Sequence, residues 1–106
     1  MRRTEFYQTK TGKMPVQEWL LGLDKISRAK VRAFIERVAN GGSKKNVKPV
    51  GHGVHEIKID YGPGYRVYFG EVNNVLMLLL VGGDKSTQDK DIRLAQTYWR
   101  AANEQK

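Results

Sequence analysis

Alternating apolar and polar residues dominate the stretch from Val54 to Lys85. Successive side chains of a β-strand point to opposite faces, so this alternation predicts strands with one buried face. Turn residues divide the stretch at Gly62-Pro63-Gly64 and at Asn73-Asn74. Both are places where the backbone φ must be free or positive. The pattern therefore predicts three consecutive antiparallel strands, a meander.

The three predicted strands differ in how many of their faces are apolar. In the first, the apolar residues Ile57, Ile59 and Tyr61 alternate with the polar residues Glu56, Lys58 and Asp60. In the second, Tyr65, Val67 and Phe69 alternate with Arg66 and Tyr68. The third, residues 75–81, is apolar throughout, which predicts a strand that is central or covered on both faces.

Helical periodicity marks two further regions before the meander. Pro15 suits the first turn of a helix with one apolar stripe, formed by Val16, Trp19, Leu20 and Leu23. Asp24 is a candidate N-cap for a second helix, which Asn40-Gly41-Gly42 would end. We expect the two helices to form a hairpin whose apolar sides face the sheet.

The remaining segments complete the predicted fold. Arg3 to Thr9 reads as a short strand, and residues 43–53 read as a loop with three lysines. Gly82-Gly83-Asp84-Lys85 is expected to leave the third meander strand. A last helix is expected to start near Ser86 or Thr87, with a buried stripe of Ile92, Ala95, Trp99 and Ala102. The prediction is one α+β domain over residues 1–106, with a mainly antiparallel sheet of about four strands, an N-terminal helix hairpin and a C-terminal helix.

Composition limits the classes of function. The 106 residues include no cysteine, so a disulfide framework, a thiolate nucleophile and a cysteine zinc site are excluded. His52 and His55 lack further ligands in the sequence nearby, and we expect neither a metal nor a cofactor. The longest apolar run, Val75 to Val81, is too short to cross a bilayer, and no signal peptide is recognisable. We expect a soluble cytoplasmic protein with no membrane partner.

The charge balance favours a polyanionic partner. Nineteen lysines and arginines against eleven acidic residues give a net charge of +8. Nucleic acid, an acidic protein and anionic lipid all fit such a charge. The positions of the cations must distinguish them.

Three cations of the meander are predicted to meet at one end of the sheet. Lys58 and Arg66 fall on the face opposite the main core, together with Tyr68, and Lys85 follows the third strand. Cleavage of RNA through a ribose 2′-hydroxyl needs cations around a transition state that gains negative charge. We therefore predict Lys58, Arg66 and Lys85 as catalytic residues, with Tyr68 as an auxiliary.

Loop lysines and a tyrosine extend this prediction to RNA binding. Lys44, Lys45 and Lys48 are candidates for phosphate contacts, and Tyr61 or Tyr68 for stacking on a base. Simpler interpretations stay open for the same residues. Arg66 then pairs with Glu56 or Asp60 across the strands, the loop is a solvated connector, and Asp84 caps the turn before Lys85.

Three segments carry a resemblance to a known family. They read PVQEWLLGL, VHEIKIDYGPGYRVYF and LLLVGGDKSTQDKDIRLAQTYW, and together they cover most of the chain. In these the chain resembles the RelE/ParE toxin superfamily of bacterial type II toxin–antitoxin modules, and in particular its HigB-like, phage Gp49-like addiction module killer branch. The resemblance implies a RelE-like (microbial RNase-like) fold and a cognate antitoxin, often of the helix-turn-helix type.

The resemblance also implies an activity. RelE-like relatives cut mRNA in the ribosomal A site, with cations that match Lys58, Arg66 and Lys85. Two positions depart from the family: Glu56 replaces a lysine, and residues 86–91 lack the tyrosine or histidine that many active members carry. The preferred function is a ribosome-dependent mRNA endoribonuclease. The alternatives are a ParE-like inhibitor that binds a protein such as DNA gyrase, and a decayed toxin that only binds its antitoxin.

Charge and shape also predict how the antitoxin acts. A basic domain with an apolar groove between its helix hairpin and its sheet suits an acidic amphipathic segment. We expect such a segment to quench the cationic patch, either by covering it or by displacing the C-terminal helix.

Overall fold

A five-stranded mixed sheet forms the centre of the computed structural model, which describes residues 2–104. The elements are, in chain order, β1 Arg3–Phe6, α1 Pro15–Leu21, α2 Lys25–Ala39, β2 Val47–Pro49, β3 Val54–Ile59, β4 Tyr65–Val72, β5 Leu76–Asp84 and α3 Gln88–Glu104. Within the sheet the strands lie in the order β1-β5-β4-β3-β2. Short 3₁₀ turns at Lys44–Asn46 and Lys85–Thr87 precede β2 and α3.

The predicted meander is confirmed. β3, β4 and β5 pair antiparallel in sequence order. The first hairpin turns with Gly62 at φ 57°, and the second with Asn73 and Asn74 at φ 53° and 58°. These are left-handed conformations, which glycine and asparagine adopt more readily than other residues. The turn residues therefore fix both hairpins locally.

The predicted α+β fold with a mainly antiparallel sheet of about four strands differs from the structure in two details. β1 pairs with β5 in parallel, from Arg3 opposite Leu76 to Phe6 opposite Leu79. β2 lies inside the predicted loop and pairs antiparallel with β3, with Val47 opposite Ile57. Three residues are too few to give an alternating pattern in the sequence. The strand forms because backbone N–H and C=O groups of β3 need hydrogen-bond partners at this edge.

The helix hairpin covers one face of the sheet. The main core lies between α1, α2 and the strands, and it includes Val16, Leu20, Val31, Ile35, Ile57, Val67, Phe69 and Met77. Asp24 caps α2 as predicted, since its carboxylate accepts a hydrogen bond of 3.0 Å from the backbone N–H of Ser27. Hydrogen bonding by the side chain of Ser27, and then by its backbone N–H, lowers the pKa of Asp24. Gly41 follows α2 with φ 91°, the left-handed conformation expected after a helix.

Helix α3 covers the other face and builds a second core. Ala95 is buried there against Val54, Tyr68, Leu80 and Val81, and Ile92, Trp99 and Ala102 pack around them. Tyr98 stacks on Tyr7, with 4.9 Å between the ring centroids. The predicted stripe of α3 is thus confirmed, as is the two-sided burial of β5. In residues 2–104, no helix has both the length and the apolar character that crossing a membrane requires.

Strand β5 continues through Gly82 and Gly83 to Asp84, whereas the sequence predicted that the chain leaves the strand there. The glycines are needed for packing. The ring of Trp19 lies over Gly82, and the carboxylate of Asp91 lies against Gly83, so that a Cβ at either position would collide with them. These residues thus serve the close approach of α1 and α3 to the sheet.

Gly82→Ala tests this packing. We expect the variant to lose about 1–3 kcal/mol of unfolding free energy, because the added methyl group forces Trp19 away from the sheet. Urea denaturation measures the loss. Gly22→Ala is the matched control, since a Cβ there meets the backbone oxygen of Trp19 at an ordinary 3.5 Å. Equal stabilities of the two variants would contradict the prediction.

Candidate functional site

A cleft of about 350 Å³ opens where β2, β3 and β4 meet the first turn of α3. We call it the basic cleft. Its polar lining consists of Lys45, Asn46, Lys48, Glu56, Lys58, Arg66 and Gln88. Four of these side chains are cationic and one is a carboxylate. The cleft is therefore suited to an anionic ligand.

The register of β3 and β4 brings two predicted site residues together. Lys58 lies directly opposite Arg66, so both side chains point to the same face of the sheet. Lys58 is exposed, with its Nζ 3.8 Å from a carboxylate oxygen of Asp60. The structure thus confirms that Lys58 and Arg66 share a face.

Arg66 is held rigidly although it is charged. The residue is only 6% exposed. Its Nη1 donates hydrogen bonds to the backbone oxygens of Gly64 at 3.0 Å and Tyr65 at 3.4 Å. Its Nε is buried and has no hydrogen-bond partner within the described part of the chain. Because the backbone holds Nη1, the guanidinium has a fixed position in the lining of the basic cleft.

Glu56 forms the floor of the basic cleft and is 1% exposed. Its Oε2 accepts a hydrogen bond of 2.8 Å from Nε2 of Gln88, at the start of α3. Its Oε1 lies 3.8 Å from both Lys48 Nζ and Arg66 Nε. Arg66 therefore pairs with Glu56, as one of the simpler interpretations predicted, and it still lines the cleft.

Tyr68 lies on the predicted face but is not accessible. Opposite Glu56 in the register, it is 0% exposed beneath α3. The expectation that its ring can receive a base is wrong, because α3 covers this end of the face. Burial, then the nearby charges of Glu56 and Asp91, raise the pKa of its hydroxyl, and Arg66 opposes them. An auxiliary catalytic role for Tyr68 stays a prediction and would have to act through Glu56.

Lys85 lies beside the cleft rather than in it. It is exposed on the 3₁₀ turn after β5. Gly64 separates it from Arg66: a Cβ there would lie 3.3 Å from Arg66 Nη1 and 3.8 Å from Lys85 Cβ. Asp84 caps this turn by accepting hydrogen bonds from the side chain and backbone of Ser86, which lower its pKa. That capping role was among the simpler interpretations.

The predicted RNA-binding residues divide among three surfaces. Lys45 and Lys48 line the basic cleft. Lys44 instead faces a separate cavity of about 250 Å³. Tyr61 lines a further cleft of about 510 Å³, which we call the second cleft. Lys45 and Asn46 line the second cleft as well as the basic cleft.

Sequence reasoning did not assign Glu56 and Gln88 to the site. Glu56 lies two residues before Lys58 in the same strand, so the period of two could have placed both side chains on the same face. Gln88 gives no such signal, because only the docking of α3 brings it to the cleft. Residues 2–104 contain no cluster of three or more side chains of the kinds that bind metals.

The buried pair of Arg66 and Glu56 predicts how variants affect stability. Arg66→Ala leaves a carboxylate that is 1% exposed without its buried partner, so we expect a loss of about 3–5 kcal/mol. The double variant Arg66→Met with Glu56→Gln removes both charges and should unfold near the wild-type urea concentration. An Arg66→Ala variant as stable as the wild type would contradict this prediction.

Comparison with known proteins identifies the family. Residues 18–100 match the family model described as "Phage derived protein Gp49-like (DUF891)". A Haemophilus influenzae protein, described as uncharacterized, is 48% identical over 79 residues, which cover 74% of this chain and 79% of that protein. The matched range runs from α1 to α3 and includes the whole basic cleft. The chain thus belongs to the Gp49-like family, which is associated with toxin–antitoxin addiction modules.

Proposed function

We propose that this protein is the toxin of a type II toxin–antitoxin module and that it cleaves mRNA on the ribosome without a metal ion. One observation carries the proposal: three lysines surround one anchored arginine and one buried carboxylate in a single cleft. The family's association with addiction modules supports the toxin role. The RelE/ParE resemblance of the sequence supports the choice of RNA.

The proposed reaction is attack of a ribose 2′-hydroxyl on the adjacent phosphorus. The bond from phosphorus to the 5′-oxygen breaks, which leaves a 2′,3′-cyclic phosphate and a 5′-hydroxyl. Negative charge grows on the phosphate oxygens in the transition state. Arg66 and the lysines of the cleft stabilise this charge, and Arg66 needs no reorganisation because its Nη1 is already bound to the backbone.

We assign the proton acceptor to Glu56. It is the carboxylate in the basic cleft, and its Oε2 is engaged by Gln88. Its Oε1 lies 3.8 Å from the nearest cations, a distance beyond that of a hydrogen bond, so it retains capacity to accept a proton. The ammonium group of Lys58, opposite Arg66, gives a proton to the leaving 5′-oxygen.

Mapping transcript 5′ ends after induction in cells tests this function. The wild type should create new ends inside translated reading frames. Arg66→Lys keeps the charge next to Glu56 but loses the planar fork, so we expect new ends to fall by about 100- to 1,000-fold. Lys25→Ala removes an exposed lysine of α2 away from the cleft and should cleave like the wild type.

Two results would contradict the endoribonuclease. Growth arrest without new transcript ends would favour the gyrase-type inhibitor, especially if DNA damage accompanied it. If folded Arg66→Lys cleaved mRNA as well as the wild type, the planar guanidinium of Arg66 would not be needed for the reaction.

The antitoxin is proposed to act at the basic cleft. The apolar groove between the hairpin and the sheet, about 300 Å³ and lined by Phe6 and Leu79, lies at the β1 edge. The basic cleft lies at the opposite edge, at β2. A segment seated only in the groove would leave the cleft open. We therefore expect an acidic antitoxin segment, from a protein of the helix-turn-helix type, to reach the cleft itself.

A structure of the toxin–antitoxin complex checks this expectation. It should show acidic side chains of the antitoxin near Lys48 and Lys58, or α3 displaced from the sheet. A complex that neutralises the toxin while the cleft stays open and α3 stays in place would contradict it.

A further inference from the structure

The second cleft has the chemical character of a site for single-stranded RNA. It lies between α2, the 3₁₀ turn before β2 and the end of β3. Lys30, Arg37 and Lys45 contribute cations to it, and Phe34 and Tyr61 contribute aromatic rings. Its carboxylate, Asp60, already lies 3.8 Å from Lys58. The cleft thus combines an excess of positive charge with aromatic surface.

Each aromatic ring of this cleft has a cation over it. Lys30 Nζ lies 5.0 Å from the centroid of the Tyr61 ring. Arg37 Cζ lies 5.0 Å from the centroid of the Phe34 ring. In proteins that bind single strands, bases stack on aromatic side chains while cations follow the phosphates. A base that stacks on Tyr61 would take the place of the Lys30 ammonium group over that ring, and the ammonium group would then be free to contact a phosphate.

The second cleft borders the basic cleft at the β2 edge of the sheet. Lys45 and Asn46 line both, so the two clefts meet at the 3₁₀ turn of Lys44–Asn46. The two clefts therefore offer one cationic path around the β2 edge of the sheet. An RNA strand whose phosphate lies at Arg66 can continue past Lys45 to the ring of Tyr61.

We propose that the second cleft binds the single-stranded RNA that flanks the cleaved phosphate, with at least one base stacked on Tyr61. The inference rests on the proposed function, because it extends the RNA of that site by a further contact region. It makes the second cleft the part of the protein that distinguishes a long RNA from a short one. An acidic peptide would use the same cations but has no need of stacked rings.

Binding measurements with RNA of two lengths test the proposal. The probes are a fluorescently labelled dinucleotide, which fits the basic cleft alone, and an unstructured strand of about eight nucleotides. Both carry 2′-O-methyl groups, which block the nucleophile and prevent cleavage. Fluorescence anisotropy then measures the affinity of each protein for each probe and so distinguishes the contributions of the two clefts. The proteins are the wild type, Tyr61→Ala, Lys30→Ala, Lys25→Ala and Arg66→Lys. Thermal denaturation confirms that each variant is folded.

The expected results differ between the probes. Tyr61→Ala should weaken binding of the long strand by about 5- to 150-fold and leave the dinucleotide unchanged. Lys30→Ala, an exposed position, should reduce the salt slope of long-strand binding by about 0.7, which is one phosphate contact. Lys25→Ala, five residues earlier on the same helix, should match the wild type with both probes.

The outcomes that overturn this inference are separate from those that overturn the proposed function. Unchanged long-strand binding by folded Tyr61→Ala and Lys30→Ala would refute the second cleft as an RNA site. The same holds if these variants lose only antitoxin binding, which would mark a protein-binding surface. Undiminished mRNA cleavage by folded Arg66→Lys would instead contradict the mechanism of the proposed function, whatever the binding of the two probes.

Discussion

Burial of both faces of the sheet is the constraint on which the rest of the structure depends. The hairpin of α1 and α2 covers one face, and α3 covers the other. This requires apolar side chains on both sides of β5, and glycines where a helix comes closest. The docking of α3 also delivers Gln88 to Glu56. The helix that completes the second core therefore also completes the floor of the basic cleft.

Two charged residues, Glu56 and Arg66, are buried at this end of an otherwise mainly apolar core. Burying Glu56 and Arg66 costs solvation energy, and a pair separated by 3.8 Å recovers only part of that cost. An apolar pair of similar volume would stabilise the fold as well or better. Retaining a fixed guanidinium next to a carboxylate is consistent with a chemical role, since such groups act without rearranging when charge develops. The chain thus gives up some stability at the place where the proposed chemistry needs rigid charges.

Local signals made much of the fold predictable. The two hairpins followed from Asn73-Asn74 and the glycines around Pro63, and the start of α2 followed from Asp24. These features depend on residues close in sequence. The pairing of Arg66 with Glu56 was also within reach, because alternation placed both on one face.

What the sequence left open depends on contacts between distant segments. The parallel pairing of β1 with β5 and the edge strand β2 are set by the sheet as a whole. Alternation predicts the face of the sheet on which Tyr68 lies, but it does not show what covers that face. In the structure α3 covers it and buries Tyr68. For the same reason the sequence predicted that the chain leaves β5 at its glycines, although Trp19 and Asp91 approach them from other elements.

Both edge strands of the sheet are short and carry residues that hinder pairing with a further strand. β2 has three residues, and Pro49 lacks the backbone N–H that a further strand would need. β1 has four residues and exposes Arg3 and Glu5, whose side chains contact each other at 3.3 Å. Short edges with charged residues or proline hinder the addition of foreign strands. The segment that brings Lys48 to the basic cleft therefore also protects a strongly β-forming chain from aggregation.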